Sequence, residues 1–150
     1  MTAALYHEEM VARARRAFGR GRLPAPAASV TLDNPLCGDR VTLDVAVAGD
    51  KVAAVGHEVK GCLLCEASAA TISQFAAGRH PGELRDMGAA VQALLKEGTP
   101  APRRFADLAV FSPVHGAKSR RDCVLLPFEA LTKALAVAFP RHSPDPAAKS

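Results

Sequence analysis

The sequence predicts an α+β fold in which a small three-stranded antiparallel sheet packs with about five helices. Val41, Leu43, Val45 and Val47 alternate in strict period two with Thr42, Asp44, Ala46 and Ala48; a Gly49-Asp50 turn signal follows at once; and apolar residues on either side of this region recur at helical spacing. A chain of 150 residues has the size of one domain and buries enough surface to fold without disulfide staples. Residues 1–139 are read as that domain and 140–150, with Pro140, Pro144 and Pro146, as a disordered tail.

The elements follow in order. Residues 1–18 form a helical arm, with Leu5, Met10, Val11, Ala14 and Phe18 near helical spacing until Gly19, Gly21, Pro24 and Pro26 end the pattern. The arm either packs on the domain or serves as a docking element for a partner. Leu23 to Ser29 reads as a linker and Ser29 to Asp33 as a first, edge strand. The period-two strand, its turn and Lys51 to Lys60 make a hairpin. His57 reads as a strand or surface histidine, since nothing near it has ligand spacing.

After Gly61 the period becomes helical, with Ala67, Ser68, Ala69, Ala70 and Ser73 allowing close packing before Gly78. A second helix runs from Pro81 to Lys96 on Leu84, Met87, Val91, Leu94 and Leu95, with Gly98 beyond its end. Thr99-Pro100-Ala101-Pro102 is a break, a short apolar segment spans Phe105 to Val110, and Ser112 to Arg121 is a loop. The last helix is expected from about Asp122, burying Val124, Phe128, Leu131 and Leu135, with Pro127 close to its start.

Composition narrows the function. The net charge of +4 is modest, aromatic residues are 5% and Trp is absent, which argues against a stacking platform for single-stranded nucleic acid. The start of the chain lacks a basic n-region followed by an apolar h-region, and no apolar run is long enough to cross a bilayer. The expectation is a soluble cytoplasmic protein, without nucleic-acid or membrane partners, whose thiols stay reduced.

Those thiols are the most telling residues. Cys37 stands in Asn34-Pro35-Leu36-Cys37-Gly38-Asp39, Cys62 and Cys65 in Gly61-Cys62-Leu63-Leu64-Cys65, and Cys123 in Arg121-Asp122-Cys123. Cys62 lies where a strand feeds a helix N-terminus and Cys123 is expected at a second one, where the helix dipole favours thiolate. Gly38 lets the backbone fold so that Cys37 and Asp39 face one centre. Three cysteinates and an aspartate suit tetrahedral zinc or an iron–sulfur cluster, and the oxygen donor loosens the grip on a cluster. Asp39 also has the simpler reading of a turn-forming or capping residue.

These residues resemble the IscU/NifU/SufU family of iron–sulfur cluster assembly proteins. The resemblance runs from Leu5-Tyr6 through Asn34-Pro35-Leu36-Cys37-Gly38-Asp39, Gly61-Cys62 and Ala67-Ser68 to Arg121-Asp122-Cys123 and its helix. It implies a small antiparallel sheet packed with helices, zinc or a transient 2Fe–2S cluster held by the positions matching Cys37, Asp39, Cys62 and Cys123, and a cysteine desulfurase that delivers persulfide sulfur. Cys123 and Cys37 are then the candidate sulfur acceptors, and apoproteins or carrier proteins the recipients. The 61-residue separation from Cys62 to Cys123 looks like the SufU branch, whose members are zinc-bound sulfur acceptors that stimulate their desulfurase, a sulfurtransferase-like role; the wider family implies a scaffold. The chain has neither the Leu-Pro-Pro-Val-Lys motif nor the His before the last Cys of IscU-type proteins, so no dedicated chaperone is implied. Asp122 stands in that His position and reads as a helix cap or a further oxygen ligand.

Cys65 reads as a packed core thiol, an auxiliary ligand or a resolving thiol. With Cys62 it makes a CxxC, and a dithiol redox protein is the rival of another class; no Trp adjoins the motif, no βαβ unit precedes it, and Cys37, Asp39 and Cys123 would have no part in it. Arg103, Arg104, Lys118, Arg120 and Arg121 surround the approach to Cys123, as cations favouring thiolate and an acidic partner or as a solvated face. His115 reads as a surface residue. No GxSxG or GxxxxGK[ST] pattern occurs, and the sequence leaves the oligomeric state open.

Overall fold

The computed structural model describes residues 2–36 and 38–140; the expected tail beyond Pro140 and the turn residue Cys37 lie outside the described residues. The chain runs α1 (Ala3–Arg16), β1 (Ala28–Asn34), β2 (Asp39–Ala48), β3 (Lys51–Lys60), α2 (Leu63–Ala76), α3 (Pro81–Glu97), a 3₁₀ segment (Arg103–Val114) kinked at Phe105, and α4 (Lys118–Ala138). The predicted three strands and five helical segments are all present.

The sheet is antiparallel in the order β1-β2-β3. The period-two run places Val41, Leu43 and Val45, each 0% exposed, on one face, and α4 lies across it against β1 and β2. Val124, Phe128, Leu131 and Leu135 of α4, Ile72 of α2 and Leu84, Met87 and Val91 of α3 complete the core. Arginine fixes α1 to this body: Arg13 donates to Glu9 Oε1 at 3.2 Å, Thr71 Oγ1 at 3.0 Å and the Asp107 carbonyl at 2.8 Å, while Met10 and Ala14 are buried. The arm therefore packs on the domain.

The stretch after α1 closes the free edge of β3. Gly21 N–H donates to the His57 carbonyl at 2.7 Å, His57 N–H donates to the Gly19 carbonyl at 3.1 Å, and His57 Nε2 lies 2.8 Å from the Phe18 carbonyl. His57 is thus a strand residue, 3% exposed. The chain then crosses the sheet face opposite α4, where Arg22 grips the buried Asp44 carboxylate at 2.7 and 3.1 Å and the Leu23 N–H donates to it at 3.0 Å. Burial alone would raise the Asp44 carboxyl; hydrogen bonds from Arg22, Ser29 and Leu23 outweigh it and hold the group below its ordinary value.

α4 departs from expectation. It begins at Lys118, four residues before Asp122, and Pro127 is its tenth residue. Pro127 has no N–H to offer the Cys123 carbonyl one turn back, and beside this break the Ser68 hydroxyl of α2 donates to the Val124 carbonyl at 2.6 Å.

Candidate metal centre

Three segments meet at one end of the sheet. The register pairs Asn34 with Asp39 and Arg40 with Lys60, so the start of β2 stands beside Gly61 and Cys62 as they leave β3. Asp39 is 3% exposed, and its Oδ1 accepts the Cys62 N–H at 3.1 Å. Cys62 is the N-cap residue of α2 but makes no side-chain cap bond; the Asp39 carboxylate satisfies one of the free N–H groups instead. The Cys62 thiol is turned the other way and donates to Asp39 Oδ2 at 3.6 Å. Cys123 joins from the second turn of α4. One ligand atom each from Asp39, Cys62 and Cys123 lies within 4.8 Å of the others, the one such group among the described residues.

Gly61 makes the approach possible, a role that the change of period after it does not signal. A Cβ there would run into Asp39 Oδ1 and stand 2.7 Å from its Cγ, so a glycine directly before a candidate ligand cysteine was the available signal. On the β1–β2 turn, Asn34 Oδ1 accepts the Leu36 N–H at 3.0 Å, the Gly38 N–H donates to the Asn34 carbonyl at 2.8 Å, and Gly38 takes φ +75°. Cys37, two positions before Asp39 in the sequence, lies outside the described residues.

Cys123 is not at a helix N-terminus. As the sixth residue of α4 and 7% exposed, it receives no help from free N–H groups. Burial pushes its thiol far above its ordinary value, and Asp39 and Cys62, as hydrogen-bond partners and as charges, push it the same way. Groups that become anions on losing protons, gathered in so small a space, call for a cation among them. Two sulfurs and a carboxylate oxygen fit tetrahedral zinc or an iron centre, with Cys37 the candidate for the fourth position.

The other readings sort as follows. Asp122 does not cap α4; the N-cap is Ala117, and Asp122 pairs with Lys118 Nζ at 3.4 Å, because the helix begins earlier than the apolar pattern. The basic cluster divides: Arg104 reaches Asp86 at 3.0 Å, Arg121 donates to the His115 carbonyl at 2.6 Å, and Arg120 lines a cavity of about 440 Å³ beside Cys62, Leu63 and Leu64. His115 is exposed, with Nδ1 2.7 Å from the Leu95 carbonyl. Cys65 is fully buried in α2 and lies outside the ligand group.

Known proteins share this architecture. The family described as NifU-like N terminal domain matches residues 5–142. The iron–sulfur cluster assembly scaffold protein IscU of Streptococcus pyogenes serotype M1 is 24% identical over 132 residues, 87% of this chain and 82% of that protein. The crystal structure of a nitrogen-fixing NifU-like protein (N-terminal) from Brucella abortus matches with a TM-score of 0.84 at 33% identity, covering 91% of this chain and 95% of that one. A Fervidobacterium islandicum protein named as a SUF-system iron–sulfur cluster assembly scaffold has the same fold, with a TM-score of 0.81 at 24% identity over 90% and 99% of the two chains. Matched from the arm helix through α4, the chain belongs to the NifU-like N-terminal domain family, the IscU/NifU/SufU group.

Proposed function

We propose that this chain assembles a transient 2Fe–2S cluster as cargo on Cys37, Cys62, Cys123 and Asp39, with sulfur from a cysteine desulfurase, and passes it to apoproteins. The supporting observation is the meeting of Asp39, Cys62 and Cys123 from a strand, a helix cap and a helix interior, their ligand atoms within 4.8 Å. One carboxylate among soft sulfurs gives a weak grip, which suits cargo that has to leave. Sulfur enters when a thiolate attacks the sulfane sulfur of the desulfurase persulfide; the new S–S bond forms as the old one breaks and the desulfurase thiolate departs. Cys123 and Cys37 are the candidate acceptors.

A second reading, a zinc-bound sulfur acceptor that stimulates the desulfurase, is favoured by the enclosure of the site, with Asp39 at 3% and Cys123 at 7% exposure. Bound zinc would hold the thiolates deprotonated. The visible spectrum, followed anaerobically with Fe²⁺, cysteine and a desulfurase while zinc and iron are quantified, separates the two. A growing sulfur-to-iron band and transfer to an apo-ferredoxin supports the scaffold. Retained zinc, no band and faster desulfurase turnover supports the acceptor, and no response of any kind sinks both. Substituting Cys37, Cys62 or Cys123 by Ser should abolish tight metal binding; wild-type stoichiometry would remove that residue from the site.

A further inference from the structure

The CxxC of Cys62 and Cys65 has a geometry that the ligand cluster does not use. Cys62 is the N-cap of α2 and Cys65 its third residue, and the first turn is closed by the Cys65 and Glu66 N–H groups on the Cys62 carbonyl at 3.1 and 3.2 Å. With a rise of about 1.5 Å per residue and a Cα radius of about 2.3 Å, residues three apart at a helix start stand about 5 Å apart at Cα, inside the separation of about 4.4–6.8 Å that a disulfide spans. An N-cap side chain ordinarily lies over the N–H groups of the second and third helical residues. Here the Cys62 side chain makes no such bond: Asp39 Oδ1 takes the Cys62 N–H and the Cys62 thiol points to Asp39 Oδ2. Rotation about the Cα–Cβ bond is what would carry the Cys62 sulfur from Asp39 to the first turn and Cys65.

The two thiols also differ in access. Cys62 is half-buried and lines the cavity shared with Leu63, Leu64, Val114 and Arg120, whereas Cys65 is 0% exposed. Of the two, Cys62 is the thiol that a sulfur donor from outside can meet.

We propose that Cys65 is a resolving nucleophile that releases sulfide from a persulfide carried on Cys62. The inference rests on the sulfur-handling role proposed above. Sulfur taken first by Cys123 reaches Cys62 by one thiol–persulfide exchange, since their sulfurs lie within 4.8 Å. The Cys65 thiolate then attacks Cys62 Sγ, a Cys62–Cys65 disulfide bond forms, the bond from Cys62 Sγ to the terminal sulfur breaks, and that sulfur leaves with the electron pair as hydrosulfide. The two cysteine sulfurs are oxidised and the sulfane sulfur is reduced, so the step balances without an outside oxidant or reductant. A thiol reductant reopens the disulfide for the next turn. Sulfide, the oxidation state a cluster incorporates, is thereby produced beside the ligands.

The test treats the metal-free full chain anaerobically with inorganic polysulfide, which bypasses the desulfurase, then desalts it, follows sulfide release and weighs the peptide holding both cysteines. The wild type should release sulfide and show that peptide lacking two hydrogens, as a disulfide. Cys65→Ser should keep one added sulfur on Cys62 and lose the release, with Cys65→Ala as a second variant should the serine disturb the core. An extra sulfur retained on wild-type Cys62, no sulfur uptake there, or release from Cys65→Ser equal to the wild type overturns the proposal; the first two readouts need no variant. Failure of the desulfurase reading would show instead in the spectral assay, with the polysulfide result unchanged.

Discussion

At Asp39 one carboxylate serves both as the cap of α2, through the Cys62 N–H, and as a ligand candidate beside two sulfurs. Gly61 is what admits it. Gly61→Ala forces the carboxylate aside, and overpacking of this kind costs about 1–3 kcal/mol; a lower urea midpoint and weaker zinc binding are expected together, and an unchanged pair of values would show that Asp39 does not need the space. Cys123 carries the pH dependence. Its folded pKa is raised by burial and by Asp39 and Cys62, so its contribution to the metal-free chain is complete below the unfolded thiol value of about 8.5 and declines as pH rises beyond it, where the unfolded chain sheds the proton first. Metal has to displace that proton, so zinc affinity should rise with pH; titrations at several pH values with and without Cys123→Ser measure both effects. The short motifs around Asp39, Cys62 and Cys123 marked the three residues that the fold brings together. The raised thiol was not, because burial is made by residues distant in sequence, and neither was the contact of Gly61 with Asp39, which the strand register creates.

Among the elements, the strap formed by residues 18–23 answers to His57. Burial pushes the imidazole below its ordinary value despite the Phe18 carbonyl, with Arg20 opposing and Glu66 favouring the charged form. A depressed histidine stabilises the fold above the unfolded value of about 6.5 and loses that contribution as pH falls, because the unfolded chain takes up the proton first. Amide protection at Gly21 and His57, taken as the exchange rate relative to the intrinsic rate at each pH, should therefore fall between about pH 7.5 and about pH 5.5. His57→Gln should flatten that dependence, and an equal loss of protection in the variant would place its origin elsewhere. Of the strap, Gly19 and Gly21 read only as the end of the arm and Leu23 as the start of a linker, since a pairing made with backbone atoms alone leaves no side-chain pattern. β2 was legible because apolar Val41, Leu43 and Val45 on the buried face alternate with Thr42 and Asp44 on the other. The start of α4 was hidden for the opposite reason: Lys118, Ser119, Arg120 and Arg121 are polar, Ala117 offers no capping oxygen, and Asp122 imitates a cap where the apolar period begins.

For the molecule as a whole, a cation held by Asp39, Cys62 and Cys123 would join β2, α2 and α4, which meet only in the folded chain. A ligand that binds the folded state alone stabilises it by about 2.7 kcal/mol at 100 times its Kd, worth about 5–10 °C in midpoint for a chain of this size. Zinc should raise the thermal midpoint by that order and a chelator reverse it; bound zinc with no shift would mean that it sits outside the fold. No helix among the described residues is long and apolar enough to cross a membrane. The N-terminal helix brings one practical consequence of its own, since Ala3 and His7 line the same cavity as Cys62. A polyhistidine purification handle joined ahead of Thr2 would begin near the rim of the cavity that Cys62 lines, and its imidazoles would compete for an ion bound there. Metal content measured on such a fusion would describe the handle as much as the protein.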